Sequence, residues 1–186
     1  MPSKALRSQA LGGVLAGTLA LLLTGCTDLG QPHARADLID TEGKITGNVR
    51  LLPEIGGTRV LVEVSGLKPG QHGMHIHVNP SCDPGPDPSG NTIPFGAAGG
   101  HFDPGDSGNH DQPTTPNDQG HGGDLPMITV GTNGRGSANF KTTKVKMSGA
   151  ESVLGRSVII HADPDDYATD PAGNTGARER CGIFRS

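Results

Sequence analysis

His72-Gly-Met-His-Ile-His77 places three imidazoles within six residues. The turn residues Gly66-Leu-Lys-Pro-Gly70 lead into it, so it reads as a strand. Residues two apart in a strand point to the same face. His75 and His77 therefore stand side by side, and Ile76 turns to the opposite face. Two neutral imidazoles on one rigid face suit zinc, copper, nickel or iron. A strand carrying solvated histidines would look the same locally, and the rest of the chain weighs against that. Five more residues of ligand type follow: His101, His110, His121, Asp124 and His161.

Upstream, the pattern stays at period two. Ala36–Asp40 and Lys44–Leu52 flank the turn Thr41-Glu-Gly43, with Ile45, Val49 and Leu51 expected on one face. In Arg59–Val64 the three valines Val60, Val62 and Val64 alternate with polar or outward positions, after a turn at Ile55-Gly-Gly-Thr58. Downstream, strands are expected at Leu125–Val130, Ser137–Thr143, Ser157–Ala162 and Cys181–Phe184, with a tight turn at Asn133-Gly134. No segment has helical periodicity. About eight short strands imply an all-β antiparallel sandwich or barrel.

One stretch breaks this pattern. Ser81 to Asp124 is rich in Gly and Pro and holds only Ile93, Phe95 and Phe102 from the Leu, Ile, Val and Phe set. A loop of this length is functional or disordered. Two staples are available to order it, a disulfide at Cys82 and a metal. Three imidazoles and a carboxylate complete a tetrahedral zinc shell, and metal binding then supplies folding energy that the loop lacks.

Residues 1–25 read as a secretory signal, with Lys4 and Arg7 before an apolar run from Leu11 to Leu23. Leu23-Thr-Gly-Cys26 resembles a bacterial lipoprotein processing site, which implies cleavage before Cys26 and a lipid anchor on its sulfur. Residues 26–35 then form a tether, and residues 36–186 form one domain. Removing residues 1–25 takes Lys4 and Arg7 from the 15 basic residues and none of the 19 acids, leaving a formal charge of −6. That sign argues against nucleic acid as a partner. It also means that an anionic substrate needs a local cationic funnel. In an oxidising compartment the remaining pair, Cys82 and Cys181, is expected as a disulfide.

The segments GLKPGQHGMHIH (66–77), AAGGHFDP (97–104), HGGDLP (121–126), SVIIHADPDD (157–166) and GNTGARERCGIF (173–184) together resemble the Cu/Zn superoxide dismutases. In outline the chain is similar to the exported, lipoprotein-anchored bacterial form. The resemblance implies an eight-stranded Greek-key barrel with long metal-binding and electrostatic loops. It implies one copper per subunit on His75, His77, His101 and His161. It implies one zinc per subunit on His101, His110, His121 and Asp124, with His101 bridging the two metals. Asp165 corresponds to the carboxylate that hydrogen-bonds a ligand histidine on each metal, and Arg178 to the arginine beside copper. Cys82 and Cys181 correspond to the family disulfide. His72 corresponds to a histidine that ties loop backbone together. The implied activity is dismutation of superoxide to dioxygen and hydrogen peroxide, with protection of the cell envelope.

Three departures qualify the resemblance. Met74 stands where the family usually has a larger or aliphatic residue. The stretch 111–119 leaves Asp103, Asp106 and Asp118 as competing ligand candidates. Asp170-Pro-Ala172 lacks the lysine and threonine of some members, so Arg178 carries more of the steering, with Arg180 nearby. Two other classes use the same residues: a copper-binding or delivery module without turnover, and a metal-stabilised envelope domain. No dimer surface is legible, so monomer and homodimer both stay open.

Overall fold

The computed structural model describes residue 1 and residues 33–186. The rest of the expected signal, Cys26 and most of the expected tether lie outside the described residues.

Eight strands close a barrel: β1 (Ala34–Ile39), β2 (Ile45–Glu54), β3 (Gly57–Ser65), β4 (Gly70–His77), β7 (Asp124–Val130), β8 (Arg135–Thr142), β9 (Ser157–His161) and β10 (Arg178–Ile183). A two-residue pair, β5 (Gly85–Pro86) and β6 (Thr92–Ile93), and a 3-10 turn at Gly96–Ala98 lie in the long loop. Around the barrel the order is β1-β10-β9-β4-β7-β8-β3-β2, and every pairing is antiparallel. The expected all-β barrel is therefore present.

Alternation places the core inside. Ala34, Ala36, Leu38, Val49, Leu51, Val60, Val62 and Val64 are buried together with Met74, Ile76, Leu125, Ile128, Val158 and Ile160. Fully burying one such aliphatic side chain contributes about 1.5–3 kcal/mol. Met74 and Ile76 face this core, so His75 and His77 emerge on the outer surface of β4, as period two requires. A smaller cluster of Phe95, Ala98, Ile159 and Cys181 packs the long loop against that outer surface.

Several boundaries differ from the sequence expectation. β1 begins at Ala34, which is fully buried, two residues inside the expected tether. The β2–β3 turn shrinks to Ile55-Gly56, with Gly57 and Thr58 already paired to β2. β10 begins at Arg178 rather than Cys181. Ile45 is 63% exposed instead of sharing the buried face of Val49 and Leu51. The cause is a register shift: Leu38 pairs with Gly47 but Ile39 pairs with Ile45, so Thr46 is an extra residue. Such a bulge reverses which way the next side chain points.

Candidate metal centre

β4 sits between β7 and β9, and this order assembles the site. His75 pairs with Asp124 on β7 and with Ile159 on β9. His161 ends β9 and pairs with Arg178 at the start of β10. His101 returns from the long loop to bridge with His77. Residues far apart in sequence thereby meet on one outer patch of the barrel.

Two clusters result. In the first, ligand atoms of His75, His77, His101 and His161 all lie within 4.8 Å of one another. Nδ1 of His75, Nε2 of His77, Nε2 of His101 and the ring nitrogens of His161 are buried without a hydrogen-bond partner. Leaving a buried polar atom unsatisfied costs about 1–3 kcal/mol. Four rings converging in that state fit a metal that takes their lone pairs. In His75, His77 and His101 the other ring nitrogen is held. His75 donates from Nε2 to Asp165 Oδ2 at 2.6 Å. His77 donates from Nδ1 to the Gly99 carbonyl at 2.9 Å. These bonds fix the tautomers that leave Nδ1 and Nε2 free to ligate.

The second cluster converges on Asp124. Its Oδ1 lies 2.9 Å from His101 Nδ1, 3.0 Å from His110 Nδ1 and 3.6 Å from His121 Nδ1. Tetrahedral zinc bonds of about 2.0–2.1 Å separate neighbouring ligand atoms by roughly 3.4 Å. The compact foursome around Asp124 is His75, His101, His110 and Asp124, with His121 at its edge. His75 cannot serve here, because its free Nδ1 belongs to the first cluster and its Nε2 is bound to Asp165. His121 Nδ1 is buried without a hydrogen-bond partner and so remains the available fourth donor. His101 presents one nitrogen to each cluster, Nε2 to the first and Nδ1 to the second.

Electrostatics separate the rings. Burial, then the neighbouring His101, pushes His75 and His77 well below the ordinary histidine range, so both are neutral donors. The same two causes lower His161 to about 3. Burial also lowers His101, partly opposed by Asp124. His110 goes the other way. Burial lowers it, but hydrogen bonds to Asp124 and Asp165 outweigh that and lift it to about 9. Asp124 would be raised by burial, yet hydrogen bonds from His101 and His110, with His121 close by, hold it far below the usual carboxylate range.

Further residues surround the two clusters. Asp165 links the clusters through His75 and, at 2.8 Å, His110 Nε2. Gly173, with φ of 64°, packs against that bridge, and a Cβ there would overlap Asp165 Oδ1. Cys82 and Cys181 form the disulfide, with Cα atoms 5.7 Å apart. His72 bridges backbone, 2.7 Å from the His161 carbonyl and 2.9 Å from that of Lys68. Asp103 caps Ser107 and Gly108, while Asp106 and Asp118 are exposed; none joins either cluster. Arg178 donates to the Phe95 and Gly99 carbonyls, both at 2.8 Å, and lines a cavity of about 820 Å³ with His77 and His161. Arg180 faces away, donating to the Gly66 carbonyl at 2.6 Å. Sequence reasoning missed Gly99, whose carbonyl accepts from both His77 and Arg178. Its only signal was the glycine-rich run 96–100.

Residues 45–184 match the family model described as copper/zinc superoxide dismutase. The chain belongs to that family. It is 65% identical over 168 residues to "Superoxide dismutase [Cu-Zn]" of Deinococcus radiodurans, covering 90% of this chain and 92% of that one. Among solved structures, the Cu/Zn superoxide dismutase from Brucella abortus is similar at 35% identity with a TM-score of 0.72. That match covers 82% of this chain and 99% of the other. A SOD-like protein from Bacillus subtilis is similar at 30% identity and a TM-score of 0.66, covering 82% and 97%.

Proposed function

We propose that His75, His77, His101 and His161 hold copper, that His101, His110, His121 and Asp124 hold zinc, and that the chain dismutates superoxide. The observation that carries this reading is His101, whose two ring nitrogens face the two clusters separately. Copper, when bound, supplies one-electron redox chemistry, and zinc supplies fixed positive charge without redox change.

The chain's own residues do the rest. Arg178, held by two backbone carbonyls, presents its remaining donors and its charge to the incoming anion. His101 would hold copper through Nε2 and, when that lone pair is released, would carry a proton there for the reduced oxygen. His75 and His77, locked by Asp165 and Gly99, keep their lone pairs aimed at one point. Over a cycle, two superoxide ions and two protons become one dioxygen and one hydrogen peroxide.

The disulfide is consistent with an oxidising compartment. With the apolar run before Cys26, it supports export and a lipid anchor on Cys26, and hence protection of the cell envelope. Metal content and superoxide consumption measured on one purified sample test the reading. Copper and zinc near one each per chain with fast superoxide loss are expected. Bound metal without turnover would favour a binding or delivery module instead.

A further inference from the structure

The cavity over the four-histidine cluster has three charged residues besides its histidines: Arg178, Asp170 and Asp87. Asp170 supports the second cluster, since its Oδ1 accepts from the His110 backbone N–H at 2.7 Å, and like Asp87 it forms no ion pair with Lys or Arg among the described residues. Asp87 can be tested without disturbing either cluster. It sits between Pro86 and Pro88 at the turn of the β5–β6 hairpin. Its Oδ1 accepts from the backbone N–H groups of Ser89 at 2.9 Å and Asn91 at 2.8 Å, and its Oδ2 from Asn91 Nδ2 at 3.3 Å. The turn is closed again by Asp87 N–H to the Asn91 carbonyl at 2.8 Å. Gly85 packs on the Gly96–Ala97 backbone, so the hairpin is docked on the same segment whose Gly99 carbonyl holds Arg178. Among the described residues, no Lys or Arg forms an ion pair with Asp87.

The cavity wall thus carries a rigidly placed negative charge that no cation neutralises, in the same opening as Arg178. Hydrogen bonds within a turn explain its geometry but not its location. The energy of an anion near a fixed charge scales with the anion's own charge. A carboxylate here repels a dianion twice as strongly as a monoanion, and so offsets part of the doubled attraction that Arg178 exerts on a dianion. We propose that Asp87 is a charge filter, which keeps divalent anions of the hydrogen phosphate type off Arg178 more strongly than it hinders monovalent superoxide. The proposal rests on the superoxide reading of the site and names what that site excludes.

The magnitude can be set. Across a water-filled cavity of this size, on the order of 10 Å, one charge alters the local concentration of a monovalent anion about twofold at low salt. For a dianion the factor is its square, about fourfold. Asp87→Asn keeps Oδ1 as the acceptor for the turn and removes the charge. Asp87→Glu keeps the charge.

The test uses the metal-loaded protein at low ionic strength and mildly alkaline pH, with inorganic phosphate as the probe. Pulse radiolysis gives the rate with superoxide and the phosphate inhibition constant. Protection of Arg178 from phenylglyoxal by phosphate, read by peptide mass spectrometry, gives binding without turnover. Asp87→Asn is expected to raise the superoxide rate about twofold and tighten phosphate about fourfold in both assays, with Asp87→Glu near wild type. Both gains should fade at high salt. An unchanged phosphate constant, or equal factors for the two anions, overturns the filter. Absence of superoxide consumption by the wild type would instead overturn the functional reading, and the protection assay would still report on Asp87.

Discussion

Asp165 accepts a hydrogen bond of 2.6 Å from His75, ninety residues earlier in the chain, with both side chains fully buried. Its second oxygen takes His110 at 2.8 Å. One carboxylate thus orients a ring in each cluster, and its own placement depends on a loop glycine, Gly173. Asp165→Asn removes the charge and leaves one oxygen as acceptor. Loss of a carboxylate partner of this kind typically costs 10–100-fold in metal affinity. Zinc affinity measured by chelator competition is expected to fall by about that factor, with the barrel still folded. Undiminished affinity would mean that the strands alone orient the rings.

His110 predicts a proton count. Without metal it is raised to about 9, because both ring nitrogens face carboxylates. It is therefore charged at neutral pH, and zinc requires Nδ1 without its proton. Zinc uptake at pH 7 should release close to one proton from this ring, and zinc affinity should rise with pH up to about 9. The sign for the metal-free protein is opposite. A pKa raised on folding stabilises fully below the unfolded value of 6.5 and loses that contribution as pH rises through about 9. Calorimetry in buffers of different ionisation enthalpy counts the proton, and no buffer dependence would refute it.

The disulfide ties Cys82, early in the long loop, to β10, three residues after Arg178. The same loop supplies the Phe95 and Gly99 carbonyls that hold the guanidinium. Cys82→Ser is expected to lower unfolding free energy by about 4–5 kcal/mol in the chain-entropy account. Turnover should fall with it, as the carbonyl clamp loosens. Stability lost with turnover fully kept would separate the disulfide from the arginine.

Arg178 is half-buried and forms no ion pair among the described residues, so its charge is left for an anion. Arg178→Ala should leave copper and zinc content and folding intact. The rate with superoxide should fall on the order of tenfold, within the range for electrostatic steering. Its dependence on salt should flatten, because screening then has less charge to act on. Pulse radiolysis across ionic strengths measures both. A wild-type rate and slope in the variant would assign guidance elsewhere, and Arg180 is already turned toward Gly66.

Local pattern by itself determined much of this protein. Period-two alternation specified the strands and put His75 and His77 opposite Met74 and Ile76, because side-chain direction in a strand depends only on position. Residue chemistry specified the ligand types, and the expectation of lipid on Cys26 left Cys82 and Cys181 to pair, as they do. Tertiary structure alone decided the rest. The bulge that turns Ile45 outward arises from pairing with β1, which no local window contains. The sharing of the Gly99 carbonyl by His77 and Arg178 joins residues 22 and 79 positions away. Only folding ties His75 Nε2 to Asp165 and brings His121 Nδ1 to 3.6 Å from Asp124. Asp87 acquires a role only because a short hairpin docks it at the cavity wall. Hydrogen bonds and charges act over a few ångströms in space, and closing the barrel decides which distant residues come that near.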